Sequence, residues 1–263
     1  MELETLKLDI IEGVARLTMI RKNPANALGP QFFKDLSEAM VFCGKDDSVR
    51  VILLSAGEGP VFSAGGDLAA FAKFGDDLPA AFIEMGKDLN PAMETLVNMD
   101  APLVTVVNGV AAGAGLSLVL ASNFVFATDN AKFTVAYTGA GLTPDASSTY
   151  FLPRLVGVRR AEELIVTNRQ FSAQEAAEWG IVNYVVEEEE LMSKAEAFAA
   201  RLAKGPTKAF GAAKRLLMSS FDTPFAEQLE LEVQSISRMC DTNDGKEGIA
   251  AFLEKRRPVF SGQ

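Results

Sequence analysis

The chain has 263 residues, 48% of them apolar and 23% charged, which fits one large domain, or a core with a smaller appendage, around a substantial buried interior. Its net charge of −10 argues against nucleic-acid binding, and its complete lack of histidine excludes Ser-His-Asp and Cys-His catalysis and any histidine-ligated metal site. Two cysteines without metal-type spacing, Cys43 and Cys240, no signal-peptide pattern and no apolar run of membrane-spanning length lead to the expectation of a soluble protein of a reducing, cytoplasmic compartment.

In chain order, Leu3–Ile10 and Val14–Ile20 carry strand-like apolar content around a hairpin turn at Glu12-Gly13. Residues 21–30 form a loop, and Pro30 is placed to start a helix over Gln31–Phe42. Val49–Ser55 is short, β-branched and apolar, the pattern of a strand buried on both faces. The following loop, 56–66, ends in Phe62-Ser63-Ala64-Gly65-Gly66-Asp67-Leu68, and Asp67 suits the cap of a helix spanning 69–98 with an acidic break near Gly75. Leu103–Val107 is a second buried strand, followed by a turn at Asn108-Gly109 and a run of Ala and Gly that opens an apolar helix.

Those two strand-to-helix junctions organise the chain. The first N–H groups of a helix lack intrahelical partners and carry partial positive charge, so an entrance such as Gly113-Ala114-Gly115 offers bare donors to an anionic oxygen. The alternative is tight packing, in which small residues let two backbones meet, and the stretch alone leaves both readings open. Beyond it lie strands at Phe124–Ala127 and Lys132–Val135 and a loop from Tyr137 to Asp145. A capping box at Ser172-Ala-Gln-Glu175 starts a helix ending near Gly180, and Ile181–Val186 is a strand. The pattern is helical over 187–203, 206–219, 224–240 and 244–255, giving an α/β core over residues 1–190 and a helical region over 191–263.

Five blocks in order, FSAGGDL at 62–68, NGVAAGAGLSL at 108–118, GLTPDASSTYFLPRLVG at 141–157, FSAQEAAEWGIVNYVV at 171–186 and AFLEKRRPVF at 251–260, resemble the crotonase (enoyl-CoA hydratase/isomerase) superfamily over essentially the whole chain. The resemblance implies an α/β spiral of ββα units with a C-terminal helical trimerisation region, a homotrimer or dimer of trimers, and acyl-CoA thioester substrates, with no cofactor beyond the coenzyme A of the substrate itself. It assigns Gly66 and Ala114 as backbone donors to an enolate oxygen. Ala64, Asp67 and Leu68 fall where the family meets the adenine of coenzyme A, and Arg21, Lys22, Lys255, Arg256 and Arg257 are candidates for its phosphates by charge, or simply a solvated surface.

Hydratases of the family use two glutamates, and the matching positions here hold Ser117 and Tyr137, so hydration is not expected. Ser117 is read as a small residue leaving room for an acyl group, and Tyr137 either as a donor into the pocket or as a packing residue. What remains is Asp145, which resembles the single base of the isomerase branch, particularly the 1,2-epoxyphenylacetyl-CoA isomerases of phenylacetate breakdown. One carboxylate can move a proton between two carbons while backbone donors hold the dienolate. An apolar setting from Phe133, Leu142 and Phe151 is the expected means of tuning it. The residues alone favour Asp145 as a helix cap and the resemblance turns the reading to catalysis; the family also contains dehalogenases that use an aspartate as nucleophile, and non-catalytic binding is a third class.

Overall fold

The computed structural model describes residues 2–20, 25–57 and 59–263. The strands among the described residues are β1 (Leu6–Ile11), β2 (Val14–Met19), β3 (Val51–Ala56), β4 (Val61–Ser63), β5 (Leu103–Val107), β6 (Val110–Ala112), β7 (Phe124–Thr128), β8 (Lys132–Thr134), β9 (Phe171–Ser172) and β10 (Tyr184–Val186). The helices are α1 (Pro30–Lys45), α2 (Leu68–Phe71), α3 (Leu78–Asn98), α4 (Ala114–Leu120), α5 (Ser148–Val156), α6 (Val158–Thr167), α7 (Ala173–Glu178), α8 (Glu188–Ala203), α9 (Thr207–Ser219), α10 (Phe225–Asp241) and α11 (Asn243–Leu253).

Two sheets result. A six-stranded sheet runs β1-β2-β3-β5-β7-β10, parallel except for the β1–β2 hairpin, and a four-stranded sheet runs β4-β6-β8-β9. The hairpin closes through Glu12 and Gly13, both at positive φ (50° and 80°), the conformation a two-residue turn between twisted strands requires. The strand predicted from Val49 is buried on both faces, and its side chains alternate between two clusters. Ile52, Leu54, Leu103 and Val107 join the main core, whereas Val51, Leu53, Val104 and Val106 pack against Leu191, Ala195 and Ala199 of α8. The C-terminal helical region expected from residue 191 therefore begins with a helix that covers the large sheet.

The spiral arises because each unit gives its first strand to the large sheet and its second to the small one. Units β3/β4, β5/β6 and β7/β8 do so in turn, and β4, β6 and β8 are parallel neighbours. Their C-terminal ends, and the turns that follow, are thus stacked side by side. This is where ligands sit in parallel sheets with crossover helices.

Several elements differ from expectation. The short strands β4 and β6, three residues each, are not visible in the sequence because a window of small residues gives no period-2 signal. The helical stretch expected over 69–98 does break near Gly75 as predicted, into α2, a 3-10 segment over Ala72–Asp77 in which Gly75 (φ 52°) is non-helical, and α3. Residues 148–167, with no predicted element, form α5 and α6, joined at Gly157 (φ 79°). The Ser172–Glu175 capping box forms as predicted, with both reciprocal hydrogen bonds. No described helix is long and apolar enough to cross a membrane.

Candidate active site

The first junction is built around Gly65 and Gly66. Gly65 (φ 93°) faces the backbone of the next unit so closely that a Cβ on it would lie 2.9 Å from Ala112 O and 3.2 Å from Gly113 Cα. Gly113 (φ 52°) returns the contact, its own Cβ position being 3.3 Å from Gly65 Cα and 3.9 Å from Gly66 N. The two Gly-rich loops therefore touch main chain to main chain, a contact only glycines permit at these angles. Gly115 also packs, since a Cβ there would sit 2.5 Å from Ser63 Cβ. Both readings of the stretch are realised, packing at Gly65, Gly113 and Gly115 and free donors beside them.

In the first loop Ala64 N donates to Ala25 O, Gly65 N to Ser63 Oγ, Asp67 N to Leu28 O and Leu68 N to Gly66 O. Gly66 N has no acceptor among the described residues. In the second loop Gly113 N donates to Thr134 O, and Ala114 N, first in α4, again has none. Two unpaired donors on touching loops at a helix N-terminus can polarise one oxygen. Leu28, whose N–H also binds Gly65 O, holds the first loop in place, and Ser63 Oγ reaches Asn26 O. Neither residue is conspicuous in the sequence, because a lone Leu and a strand-end Ser look like ordinary core.

The side chains come from the second and third junctions. The Tyr137 hydroxyl donates to Asp145 Oδ1 at 2.6 Å. Ser117 Oγ, fully buried on α4, lies 3.2 Å from that hydroxyl, 3.2 Å from Asp145 O and 3.3 Å from Gly113 O. Burial pushes the Tyr137 phenol well above its ordinary pKa, and the neighbouring Asp145 carboxylate pushes it further the same way. Tyr137 thus stays a donor at any physiological pH. Ser117, expected to leave room for an acyl group, instead acts as a joint between α4, Tyr137 and the Asp145 main chain.

The alternative reading of Asp145 as a cap is not what the structure shows. The N-cap of α5 is Ser147, with no side-chain cap hydrogen bond, and the Asp145 carboxylate is turned to Tyr137. Of the expected apolar setting, Phe133 is fully buried and stacked on Phe171 with centroids 5.4 Å apart, Leu142 is 39% exposed, and Phe151 is half-buried against the main core, while Asp145 itself is an exposed residue. Backbone strain concentrates here instead, with Ala136, Ala146 and Ser147 at positive φ (59°, 48° and 71°) flanking the Tyr137–Asp145 pair. Sequence gives no signal for it, since Ala and Ser are not residues that favour this region.

Asp67 caps α2 by accepting from Ala70 N, and Ala64 and Leu68 are exposed on the rim of the first loop. Lys255 is exposed at φ 55° after α11, next to Arg256, which is committed to Glu247 through two hydrogen bonds and to Glu254. Arg21 and Lys22 lie outside the described residues. The structure therefore brings Gly66, Ala114, Ser117, Tyr137 and Asp145 together, while no contact joins Lys255 to them.

Comparison with known proteins gives the family of the chain. The family model described as enoyl-CoA hydratase/isomerase matches residues 9–263. The chain is 32% identical to the trans-2-decenoyl-acyl-carrier-protein isomerase of Streptococcus mutans, covering 100% of both chains. It is 36% identical to the 1,2-epoxyphenylacetyl-CoA isomerase of Escherichia coli, covering 96% of each. The crystal structure of an enoyl-CoA hydratase from Bacillus anthracis shares the fold at a TM-score of 0.91 and 30% identity, over 99% of this chain and 100% of that one. The chain belongs to the enoyl-CoA hydratase/isomerase family of the crotonase superfamily.

Proposed function

We propose that this enzyme is an acyl-CoA isomerase that shifts a double bond, with Asp145 as its base. The observation that carries the reading is the 2.6 Å hydrogen bond from Tyr137 to Asp145 Oδ1, which leaves Oδ2 without a partner among the described residues. A carboxylate held by one oxygen has its other oxygen available for a proton. In a 3-enoyl thioester Asp145 removes a proton from C2, negative charge develops on the thioester oxygen, and the N–H groups of Gly66 and Ala114 hold it. The same carboxyl returns the proton to C4, giving the 2-enoyl thioester with no net loss of atoms. Hydration needs a second acid/base group for water, and Ser117 and Tyr137, whose phenol burial pushes above its ordinary pKa, stand where the resemblance to hydratases places glutamates.

The thioester is expected to be a coenzyme A ester, with Ala64, Asp67 and Leu68 at the adenine and Lys255 and Arg21 as phosphate candidates. Relatives whose names specify an isomerase support the reading, and the epoxyphenylacetyl-CoA relative makes an epoxidised aromatic acyl group the second substrate to try. A homotrimer or a dimer of trimers is proposed as the working assembly, in a cytoplasmic setting. Its support is the apolar surface of the C-terminal helices, where Phe225, Val233, Ile236, Phe252 and Leu253 are all more than half exposed.

The test is a direct comparison of two reactions at equal enzyme concentration. The proposal expects 3-enoyl-CoA to become 2-enoyl-CoA, with no 3-hydroxyacyl-CoA formed from either. Accumulation of the hydroxyacyl product at a comparable rate would make the protein a hydratase despite Ser117 and Tyr137.

A further inference from the structure

We propose that Asn168, the residue after α6, is a positioning residue for the candidate active site. Through its main chain and side chain together it fixes the strained turn that aims Tyr137 at Asp145, an inference that rests on the isomerase reading for its kinetic consequence but not for its geometry.

Asn168 adopts the left-handed conformation (φ 50°) as the C-cap of α6, its own N–H returning to Leu164 O. From there it reaches the turn at two points. Its carbonyl accepts from Thr134 Oγ1 at 3.1 Å, and its side-chain Nδ2 donates to Thr138 Oγ1 at 2.5 Å. The Thr138 hydroxyl in turn donates to Ile165 O in the last turn of the same helix. Residues 134 and 138 are thus both pinned to one helix end, and between them lie Ala136, at φ 59°, and Tyr137. A left-handed alanine is sterically disfavoured and persists only where its surroundings hold it, so the turn would relax without these ties.

Relaxation would move the one side chain that touches the base. Tyr137 reaches Asp145 and Ser117 with hydrogen bonds whose lengths tolerate little displacement. Most of Asn168 could be replaced by any left-handed residue, yet the amide makes a specific bond to Thr138, and its Oδ1 is buried without a partner among the described residues. The side chain is held there at a cost, and the donor side of the amide is what is used.

The test compares Asn168→Gly, which keeps the left-handed conformation and deletes the amide, with Thr138→Val and the conservative Thr138→Ser. The chain has only three tyrosines, so ring-carbon-labelled tyrosine gives a resolvable NMR spectrum in which Tyr137 is identified by Tyr137→Phe. Asn168→Gly and Thr138→Val are expected to shift the Tyr137 resonance and leave Tyr150 and Tyr184 in place. They are expected to lower kcat by about tenfold or more with KM changed less than about twofold, the signature of misplacement rather than lost binding. Thr138→Ser restores both, and in a Tyr137→Phe background Asn168→Gly has no further effect on kcat. An unmoved Tyr137 resonance in Asn168→Gly would overturn the proposal, as would an equal loss of kcat with and without the Tyr137 hydroxyl. Should the wild type fail to isomerise enoyl thioesters, the isomerase reading falls and the NMR comparison still decides the role of Asn168.

Discussion

Replacing Gly65 with alanine strikes the contact between the two loops that carry the proposed oxyanion donors. The added Cβ would stand 2.9 Å from Ala112 O and 3.2 Å from Gly113 Cα, both main-chain atoms that no rotamer change can clear. The backbone at φ 93° adds a conformational penalty of about 1–2 kcal/mol, and overpacking against fixed neighbours about 1–3 kcal/mol, so destabilisation of about 2–5 kcal/mol is expected. Relief of the clash must move the loop carrying Gly66 N away from the loop carrying Ala114 N. Loss of one such donor corresponds to roughly 10²–10³ in kcat. Gly180→Ala is the matched control, since Gly180 has φ 80° but nothing within 4 Å of its Cβ position. Denaturant unfolding together with turnover of a 3-enoyl-CoA separates the effects. Gly65→Ala should lose both stability and turnover, and Gly180→Ala only the smaller conformational share of stability. A folded Gly65→Ala enzyme retaining more than about a tenth of wild-type kcat would refute the assignment of these loops as the oxyanion site.

Three further outcomes are expected. The Tyr137 phenol is held protonated above its ordinary value of 10.0, so its stabilising contribution is complete below about pH 10 and is lost as pH rises further, when the unfolded chain releases a proton that the fold retains. In the folded protein, titration through pH 10 should give the same phenolate absorbance change in wild type and Tyr137→Phe, and a smaller change in the variant would contradict this. Asp244, buried under the C-terminal residues, accepts from Ser261 N, Ser261 Oγ and Gly262 N, so Asp244→Ala should lower stability by about 2–3 kcal/mol and speed amide exchange at Ser261 and Gly262; an unchanged denaturation midpoint would show the tail to be held otherwise. Sedimentation should give a mass of three or six 28.2 kDa chains, and a monomer at micromolar concentration would leave the exposed face of α10 and α11 without its proposed cover.

The large sheet is legible from sequence because buried parallel strands such as Leu103–Val107 write themselves as apolar runs, and the C-terminal helices because Gly205-Pro206 and Thr223-Pro224 punctuate them. The small residues at the two strand-to-helix junctions were legible as either packing or an opening for an anionic oxygen, and the choice of Gly66 and Ala114 came from the family resemblance. Of the small sheet only β8 was legible, from the apolar content of Lys132–Val135, whereas β4, β6 and β9 are three residues or fewer and owe their existence to the neighbours they pair with. Nor was the environment of Asp145. Phe133 is close in sequence yet points into the core to stack on Phe171, while the group that meets the carboxylate is Tyr137, eight residues upstream across a strained turn. The ties that hold that turn, Thr138 and Asn168, carry no sequence signal beyond an ordinary polar side chain. Left-handed conformation at Asn is common enough to pass unnoticed.

The most direct measurement is the exchange of substrate protons with deuterated solvent, followed by mass spectrometry or NMR, for wild type and Asp145→Asn with the same 3-enoyl-CoA. With Asp145 as base, wild type incorporates deuterium as the double bond migrates, and Asp145→Asn, still folded and still binding the thioester, loses both by at least about a hundredfold. Exchange that persists in Asp145→Asn at a rate near that of the wild type would place the proton transfer on another group and contradict the central claim.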